Sequence, residues 1–441
     1  MRLNGDVLIV GLGQSGLSVA RALNARGIPF AVADSRSAPP NVSAVHKLRP
    51  QAVYLGPFDP AVLSRTGTLI LSPGVARHEP AVHRAEQQGV EIIGDIELFA
   101  RWAQAPVVAI TGSNGKSTVT TLLGEMARTA GVRVAVGGNL GPPALDLLDE
   151  AIDLYVLELS SFQLETTISL NAQAACVLNI SPDHLDRYPS LSAYIAAKQR
   201  VFQGSGVQVL NRDDPAVAQM AQTGRPQYGF TLGRPTANTV GMVHHAGEPW
   251  LAWSEHPWLH TRDLPLKGRH NWANVLAALA LGHAIGLECE AMRQAVVAFR
   301  GLPHRCEWVA ESNGVDWYND SKGTNVGATV AAVQGLAGKV VLIAGGEGKG
   351  QDFSLLQVLR DKLRAVVLIG RDGGLIGGAI GHGVKQRQAR DMREAVACAA
   401  ELAESGDSVL LSPACASFDW FSGYQTRGRA FASAVKEQLR C

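Results

Sequence analysis

Twice in the first third of the chain, an apolar run stops at a glycine-rich turn and a helix-like stretch begins. DVLIV (Asp6–Val10) leads into GLGQSG (Gly11–Gly16) and then LSVARALNARG (Leu17–Gly27). PVVAIT (Pro106–Thr111) leads into Gly112-Ser-Asn-Gly-Lys-Ser-Thr118. A strand that turns sharply into a helix needs glycine where other residues would clash. The helix N-terminus it creates presents backbone N–H groups to an anion. Units of this kind stack as helices over largely parallel sheets, so the fold class read here is α/β.

The alternation continues through VRVAV (Val132–Val136), DLYVLEL (Asp153–Leu159), AACVLNI (Ala174–Ile180) and GVQVL (Gly206–Leu210). A stretch rich in Pro, Gly, His and Trp (Arg225–Pro265) interrupts it and predicts short antiparallel strands or loops. The helical NWANVLAALALGHAIG (Asn271–Gly286) follows. Beyond GLPHR (Gly301–Arg305), which reads as a hinge about which the last block swings, come VDWYND, KVVLIAGG, AVVLIG and SVLLSP. Three blocks result, 1–95, 96–301 and 302–441: a Rossmann-like N-terminal domain, a central P-loop ATPase-type domain and a C-terminal Rossmann-like α/β domain.

Composition narrows the class of partner. The 441 residues are 46% hydrophobic and 18% charged with a formal net charge of +1, so no global field draws nucleic acid. No apolar run reaches the roughly 18–20 residues that span a bilayer, and membrane insertion is not expected. The six cysteines (Cys176, Cys289, Cys306, Cys398, Cys415, Cys441) show no C-x-x-C spacing, as befits free thiols in a reducing cytoplasm.

GLGQSG followed by Asp34 has the order of an NAD-binding unit, and a dehydrogenase is one reading. Only about ninety residues precede the second loop, which is cramped for two mononucleotide halves, so a half-sized unit for one diphosphate is expected. A dehydrogenase also leaves the second loop unexplained. There, Gly112, Ser113, Asn114 and Gly115 bring backbone N–H groups to phosphate oxygens. Lys116 adds a point charge, and Ser117 or Thr118 offers a hydroxyl to Mg²⁺. The full G-x-x-x-x-G-K-[ST] pattern fails at Ile110, so the loop is a shorter variant. Metal ligands are expected at the carboxyl ends of strands, which singles out Glu158 and His184. Mg²⁺ prefers oxygen, and a histidine ligand would admit Mn²⁺ as well.

TGSNGKST, the Glu158 strand end, NISPDHLDRY, GRHNWANVLAA, GLPHR and YNDSKGTN together resemble the Mur ligase family of ATP-dependent amide ligases, in order over nearly the whole chain. Within that family LSPACASFDWFSGYQTRG (Leu411–Gly428) is most similar to the member that adds D-glutamate to UDP-N-acetylmuramoyl-L-alanine. The D-N-P-R signature of the diamino-acid-adding members is absent, GGEGKGQDFS standing in its place. The resemblance implies ATP as phosphoryl donor, an acyl phosphate intermediate, and catalysis by Lys116, His184 and Lys198 with Mg²⁺. It makes Lys198 a carbamate that joins Ser117, Glu158 and His184 around metal; the residue alone reads as a solvated charge on a helix.

It also implies ATP contacts at Asn271, Asn274, Arg305 and Asp320, and D-glutamate contacts at Thr324, Lys349, Ser417 and Tyr424. Tyr424 stands where Phe is usual. Lys322 reads as a surface charge and Cys415 as a packed thiol. The uridine diphosphate falls to Gly13, Gln14, Ser15, Ser35, Arg36 and Ser72, with Asn139 toward the muramoyl-alanine part; Gln14-Ser15 replaces the more usual Leu-Thr. A cytoplasmic monomer is expected. The other readings are a different amide ligase of the family and a non-catalytic nucleotide-switch protein.

Overall fold

The structure is a computed structural model and describes residues 3–184, 187–266 and 268–439. The chain divides into two units. One comprises Met1–Ile180, Arg187–Leu259 and Leu276–Val296, the other Ser181–Asp186, His260–Val275 and Val297–Cys441.

The first unit begins with five short parallel strands: β1 (Val7–Val10), β2 (Ala31–Asp34), β3 (Val53–Leu55), β4 (Thr68–Leu71) and β5 (Glu91–Gly94). Their order is β3-β2-β1-β4-β5. This corrects the expected half-sized unit, because it is the order of the first five strands of a dinucleotide fold. The set fits because its parts are small: the strands have three or four residues, and the helices Val42–His46 and Pro60–Ser64 have five each. VYL and EIIG carry too little apolar length to be conspicuous in sequence, which is why two strands were missed.

A nine-stranded sheet follows in the same unit. Its strands are β6 (Val107–Thr111), β7 (Val134–Gly138), β8 (Leu154–Glu158), β9 (Ala174–Val177), β10 (Val207–Asn211), β11 (Gln227–Phe230), β12 (Thr239–His245), β13 (Glu248–Trp253) and β14 (His256–His260). The order is β14-β13-β12-β11-β10-β9-β6-β8-β7. Pairing is parallel from β7 to β12 and antiparallel between β12 and β13, so the Pro-, Gly- and Trp-rich stretch does supply the antiparallel edge. The two sheets share one core. Ile9, Ile93 and Phe99 cluster with Val107, Tyr155 and Leu157, and Phe99 meets Tyr155 edge to face at 5.1 Å between ring centres. Ser18 Oγ and Arg21 both donate to Asp146 across the same junction.

The second unit carries a six-stranded sheet: β15 (Glu307–Ser312), β16 (Val315–Asn319), β17 (Val340–Gly345), β18 (Leu363–Ile369), β19 (Lys385–Gln388) and β20 (Ser408–Leu411). Its order is β15-β16-β20-β17-β18-β19, parallel except for the β15–β16 pair. Leu342 and Leu410 face one core and Val341 and Val409 the other, as period-two strands covered on both faces require. Among the described residues no helix is long and apolar enough to cross a membrane. Cys176, Cys289, Cys306, Cys398 and Cys415 are free thiols, and Cys441 lies outside the described residues.

Candidate functional site

GLGQSG closes β1 and opens the helix Gln14–Ala25, with Gly13 at its N-cap. Gly11 has φ +95°, and a Cβ on Gly16 would stand 1.9 Å from the Gly11 carbonyl oxygen. Only glycine lets the helix approach its own turn so closely. Ser72 Oγ donates to that carbonyl at 2.7 Å, which fixes the turn from β4. Asp34 accepts from Leu12 N at 2.7 Å and holds Arg36 through two bonds, Nε at 2.8 Å and Nη2 at 2.7 Å. The Arg36 guanidinium is the main reason its carboxyl falls to about 2. Asp34 is therefore committed to its own loop, and Ser35 and Gln14 lie exposed beside it. Ser15 hydrogen-bonds the buried Asp95 at the start of the helix Asp95–Trp102.

The second loop closes β6 and opens the helix Lys116–Thr129. Gly112 and Gly115 have φ +152° and +84°, and a Cβ on Gly112 would meet Leu178 Cβ at 2.9 Å. Asn179, at the end of the β9 run, clasps the turn: its Oδ1 accepts from Asn114 N at 2.8 Å and its Nδ2 donates to Asn114 O at 3.0 Å. Ser113 N donates to the Asn179 carbonyl at 2.9 Å, and Ser113 Oγ meets Tyr194 OH at 3.1 Å.

Three charged side chains converge on this loop. Lys116 Nζ donates to the carbonyls of Gly112 and Ser113, both at 2.9 Å. Lys198, 2% exposed on the Ser190-capped helix Leu191–Gln199, donates to the same Gly112 carbonyl at 2.8 Å and lies 4.6 Å over the Tyr194 ring. Glu158, at the carboxyl end of β8, takes Ser117 Oγ at 2.5 Å and Asn139 Nδ2 at 2.8 Å. Lys116, Ser117, Glu158, Lys198 and Asn139 are thus brought together, with Thr118 buried in the first helical turn. Among the described residues, no three His, Cys, Asp or Glu side chains form a metal cluster. A hydroxyl and one carboxylate fit Mg²⁺, an oxygen-preferring ion that keeps waters and takes the rest of its shell from phosphates.

His184 falls within the second unit. It has φ +55°, is exposed, and lies 3.8 Å from Asp183, whose Oδ2 accepts from Asn325 Nδ2 at 3.1 Å. Asn271 and Asn274 share one face of the helix Arg269–Ala284, both buried, with Asn274 Nδ2 3.5 Å from Asn271 Oδ1. Asp320 follows β16 and accepts from Ser412 Oγ at 2.7 Å and from Cys306 N at 3.2 Å. Burial pushes its carboxyl up to about 7, against the opposing pull of those bonds and of the nearby Arg305.

The four groups assigned to the amino acid come from three loops of this unit. Glu347 and Ala416 exchange backbone hydrogen bonds at 3.0 and 2.9 Å, which sets Lys349 and Ser417 on adjoining strands of chain. Gln351 Nε2 reaches the carbonyls of Thr324, Gly348 and Ala414. Tyr424 starts the helix Tyr424–Gln438, its carbonyl accepting from Ser321 Oγ at 2.9 Å and its ring lying 4.3 Å under Lys322 Nζ. Lys322 is therefore more than a solvated charge. Cys415 is fully buried, and burial raises its thiol to about 12, as a packed thiol requires.

Sequence reasoning passed over Asn179, Asp95, Gln163 and Arg427. Asn179 lay within a quoted motif, and its place at a strand end was the available signal. Gln163 forms a capping box with Ser160 and donates to Asp95 Oδ2 at 3.2 Å, a contact no spacing rule reveals.

Known proteins match this chain in sequence and in fold. The Mur ligase MurD-like N-terminal domain family matches residues 5–94, the Mur ligase middle domain 110–282, and the Mur ligase glutamate ligase domain 304–415. A UDP-N-acetylmuramoylalanine–D-glutamate ligase of Nitrosococcus oceani is 56% identical over 439 residues, 98% of this chain and 97% of that protein. The protein of the same name from Pseudomonas aeruginosa is 52% identical over 98% of this chain and 97% of its own. Among solved structures, a pseudomurein peptide ligase type C from Methanothermus fervidus aligns at TM-score 0.59 and 16% identity, over 99% of this chain and 100% of that one. UDP-N-acetylmuramate–alanine ligase from Thermotoga maritima aligns at 0.59 and 17%, over 98% and 100%; at such identities the likeness is one of fold. Matched in all three parts and along its length, the chain belongs to the Mur ligase family of ATP-dependent acid–amino-acid ligases.

Proposed function

We propose that this enzyme adds D-glutamate to UDP-N-acetylmuramoyl-L-alanine at the expense of ATP, in cytoplasmic synthesis of peptidoglycan precursors. The observation that carries the reading is the convergence of Lys116, Ser117, Glu158 and Lys198 on one phosphate loop, in a chain 56% identical to a ligase of that name. The γ-phosphoryl passes to the alanyl carboxylate, giving ADP and an acyl phosphate. The D-glutamate amine then attacks the carbonyl carbon, and the tetrahedral adduct expels phosphate as the amide forms and the amine gives up its protons to solvent. Lys116, with backbone N–H groups of Gly112–Thr118, balances charge on the transferring group, and His184 meets the developing oxyanion. Ser117 and Glu158 would hold Mg²⁺, which supplies charge neutralisation at the phosphates.

Lys198 is read as a carbamate. Its burial beside the phosphate loop supports this: an ammonium is costly there and repels metal, whereas a carbamate is an oxygen ligand whose remaining N–H can still serve the Gly112 carbonyl. Residues 1–95 take the uridine diphosphate through Gly13, Gln14, Ser15, Ser35, Arg36 and Ser72. Residues 96–301 take ATP with Asn139 toward the muramoyl-alanine, and 302–441 take D-glutamate through Thr324, Lys349, Ser417 and Tyr424. Asn271 and Asn274 serve adenine, Arg305 and Asp320 the phosphates and ribose, and the enzyme acts as a monomer.

A panel of amino acids assayed for phosphate release with UDP-N-acetylmuramoyl-L-alanine and ATP tests the reading. Strict dependence on D-glutamate is expected; turnover with L-alanine, or nucleotide binding with no glutamate-stimulated hydrolysis, overturns it.

A further inference from the structure

Arg427 lies in the helix Tyr424–Gln438, 1% exposed, and no role falls to it in the reaction as described. Its Nε donates to Ser321 Oγ at 3.0 Å and Nη1 to the Ala416 carbonyl at 3.2 Å. Nη2 donates to the carbonyls of Ser321 at 2.8 Å and Cys415 at 3.1 Å. Every acceptor is a neutral oxygen. A buried guanidinium ordinarily sits against a carboxylate. Here Asp419 and Asp320 act on it only through space, and burial lowers its pKa to about 10, which leaves it cationic at neutral pH.

The segments it ties are those that carry the amino-acid groups. Ser321 opens the run to Thr324, and its hydroxyl also donates to the Tyr424 carbonyl. Cys415 and Ala416 lead directly to Ser417, itself 3% exposed, and Ala416 is paired with Glu347 two residues before Lys349. One planar fork on the helix that Tyr424 opens therefore ties the loops bearing Thr324 and Ser417 directly, and the one bearing Lys349 through the Ala416–Glu347 pair. Lysine, a point charge with three donors and no fork, could not reproduce the pattern.

We propose that Arg427 is a positioning and specificity-determining residue for the incoming amino acid. It holds the Ser321 and Cys415–Ala416 loops in carboxylate-binding register and sets behind them a positive charge that no carboxylate hydrogen-bonds, which favours a dicarboxylate over a neutral amino acid. This rests on the reading of Thr324, Lys349, Ser417 and Tyr424 as the D-glutamate site.

Steady-state kinetics of Arg427→Lys, Arg427→Met and Lys349→Ala, with thermal unfolding of each, test it. Arg427→Lys should raise KM for D-glutamate about tenfold and Arg427→Met about a hundredfold, with kcat and the KM values for ATP and the UDP substrate within about threefold. A D-glutamate KM that stays put, or three KM values that rise together, overturns the proposal, the latter being the mark of a merely structural clamp. If the Arg427 variants do not fold, Ser321→Ala decides: about a fivefold rise in D-glutamate KM supports the inference and no change overturns it. An unchanged KM in Lys349→Ala refutes the site reading and this inference with it. A raised KM there beside an unaltered Arg427→Lys refutes this inference alone.

Discussion

GLGQSG and GSNGKST occupy the same place on their sheets, each between a buried parallel strand and the first turn of a helix. Their backbones share one device, glycines that let a helix begin directly against the turn that ends the strand. Their surroundings differ in charge. The first loop is braced by neutral Ser72 and by Asp34, whose charge Arg36 already satisfies. The second is braced by Asn179 and met by the side chains of Lys116, Lys198 and Glu158. On the function proposed above, the first loop holds a diphosphate and can rely on dipoles, whereas the second serves a transferring phosphoryl group and needs counter-charge and a place for metal.

The comparison breaks first at Lys116. Lys116→Ala should lower kcat about 10³-fold in the phosphate-release assay, the scale of a lost transition-state donor. Ser15→Ala in the first loop should change KM for the UDP substrate and spare kcat; equal losses of kcat at both loops would erase the distinction. Lys198→Ala should cost about 10²-fold, with partial recovery on adding short carboxylic acids. No recovery, together with an unmodified mass at Lys198, would remove the carbamate.

Two smaller effects concern the first loop alone. Gly16→Ala should destabilise the protein by about 2 kcal/mol in urea unfolding, because the new Cβ meets the Gly11 carbonyl, although alanine is the better helix former. Asp34→Asn should cost about 1–2 kcal/mol at pH 7, discounted because Arg36 is half exposed. Arg36 holds the folded Asp34 carboxyl at about 2, below the ordinary aspartate value of 3.8, so its contribution is present above about pH 4 and is lost as pH falls through 2. Wild type and Asp34→Asn should therefore converge in stability near pH 2; a constant gap would show that the loss is not one of charge.

Much of the site was legible in sequence because its residues are tied to strand ends and glycine turns, whose spacing is local. Lys116, Ser117 and Glu158 could be named from such positions. Lys198 could not: on residues alone it reads as a surface lysine, and only the resemblance lifted it out. The structure shows it buried because the helix it rides is turned with that face toward the Gly112 turn. The first sheet was misjudged in size because VYL and EIIG are too short to register as strands, though the parallel sheet completes itself around them.

The sequence by itself determined the α/β class, the two glycine turns and the family, since glycine sterics, apolar periodicity and motif order are all written along the chain. Tertiary structure alone decided which polar groups meet across long separations. Asp34 is neutralised by its own loop, Asn179 grips Asn114, and Arg427 binds Ser321 and Cys415. The physical reason is that a buried charge takes its partners from whatever packing brings near it, and that is a property of folded neighbours rather than of spacing.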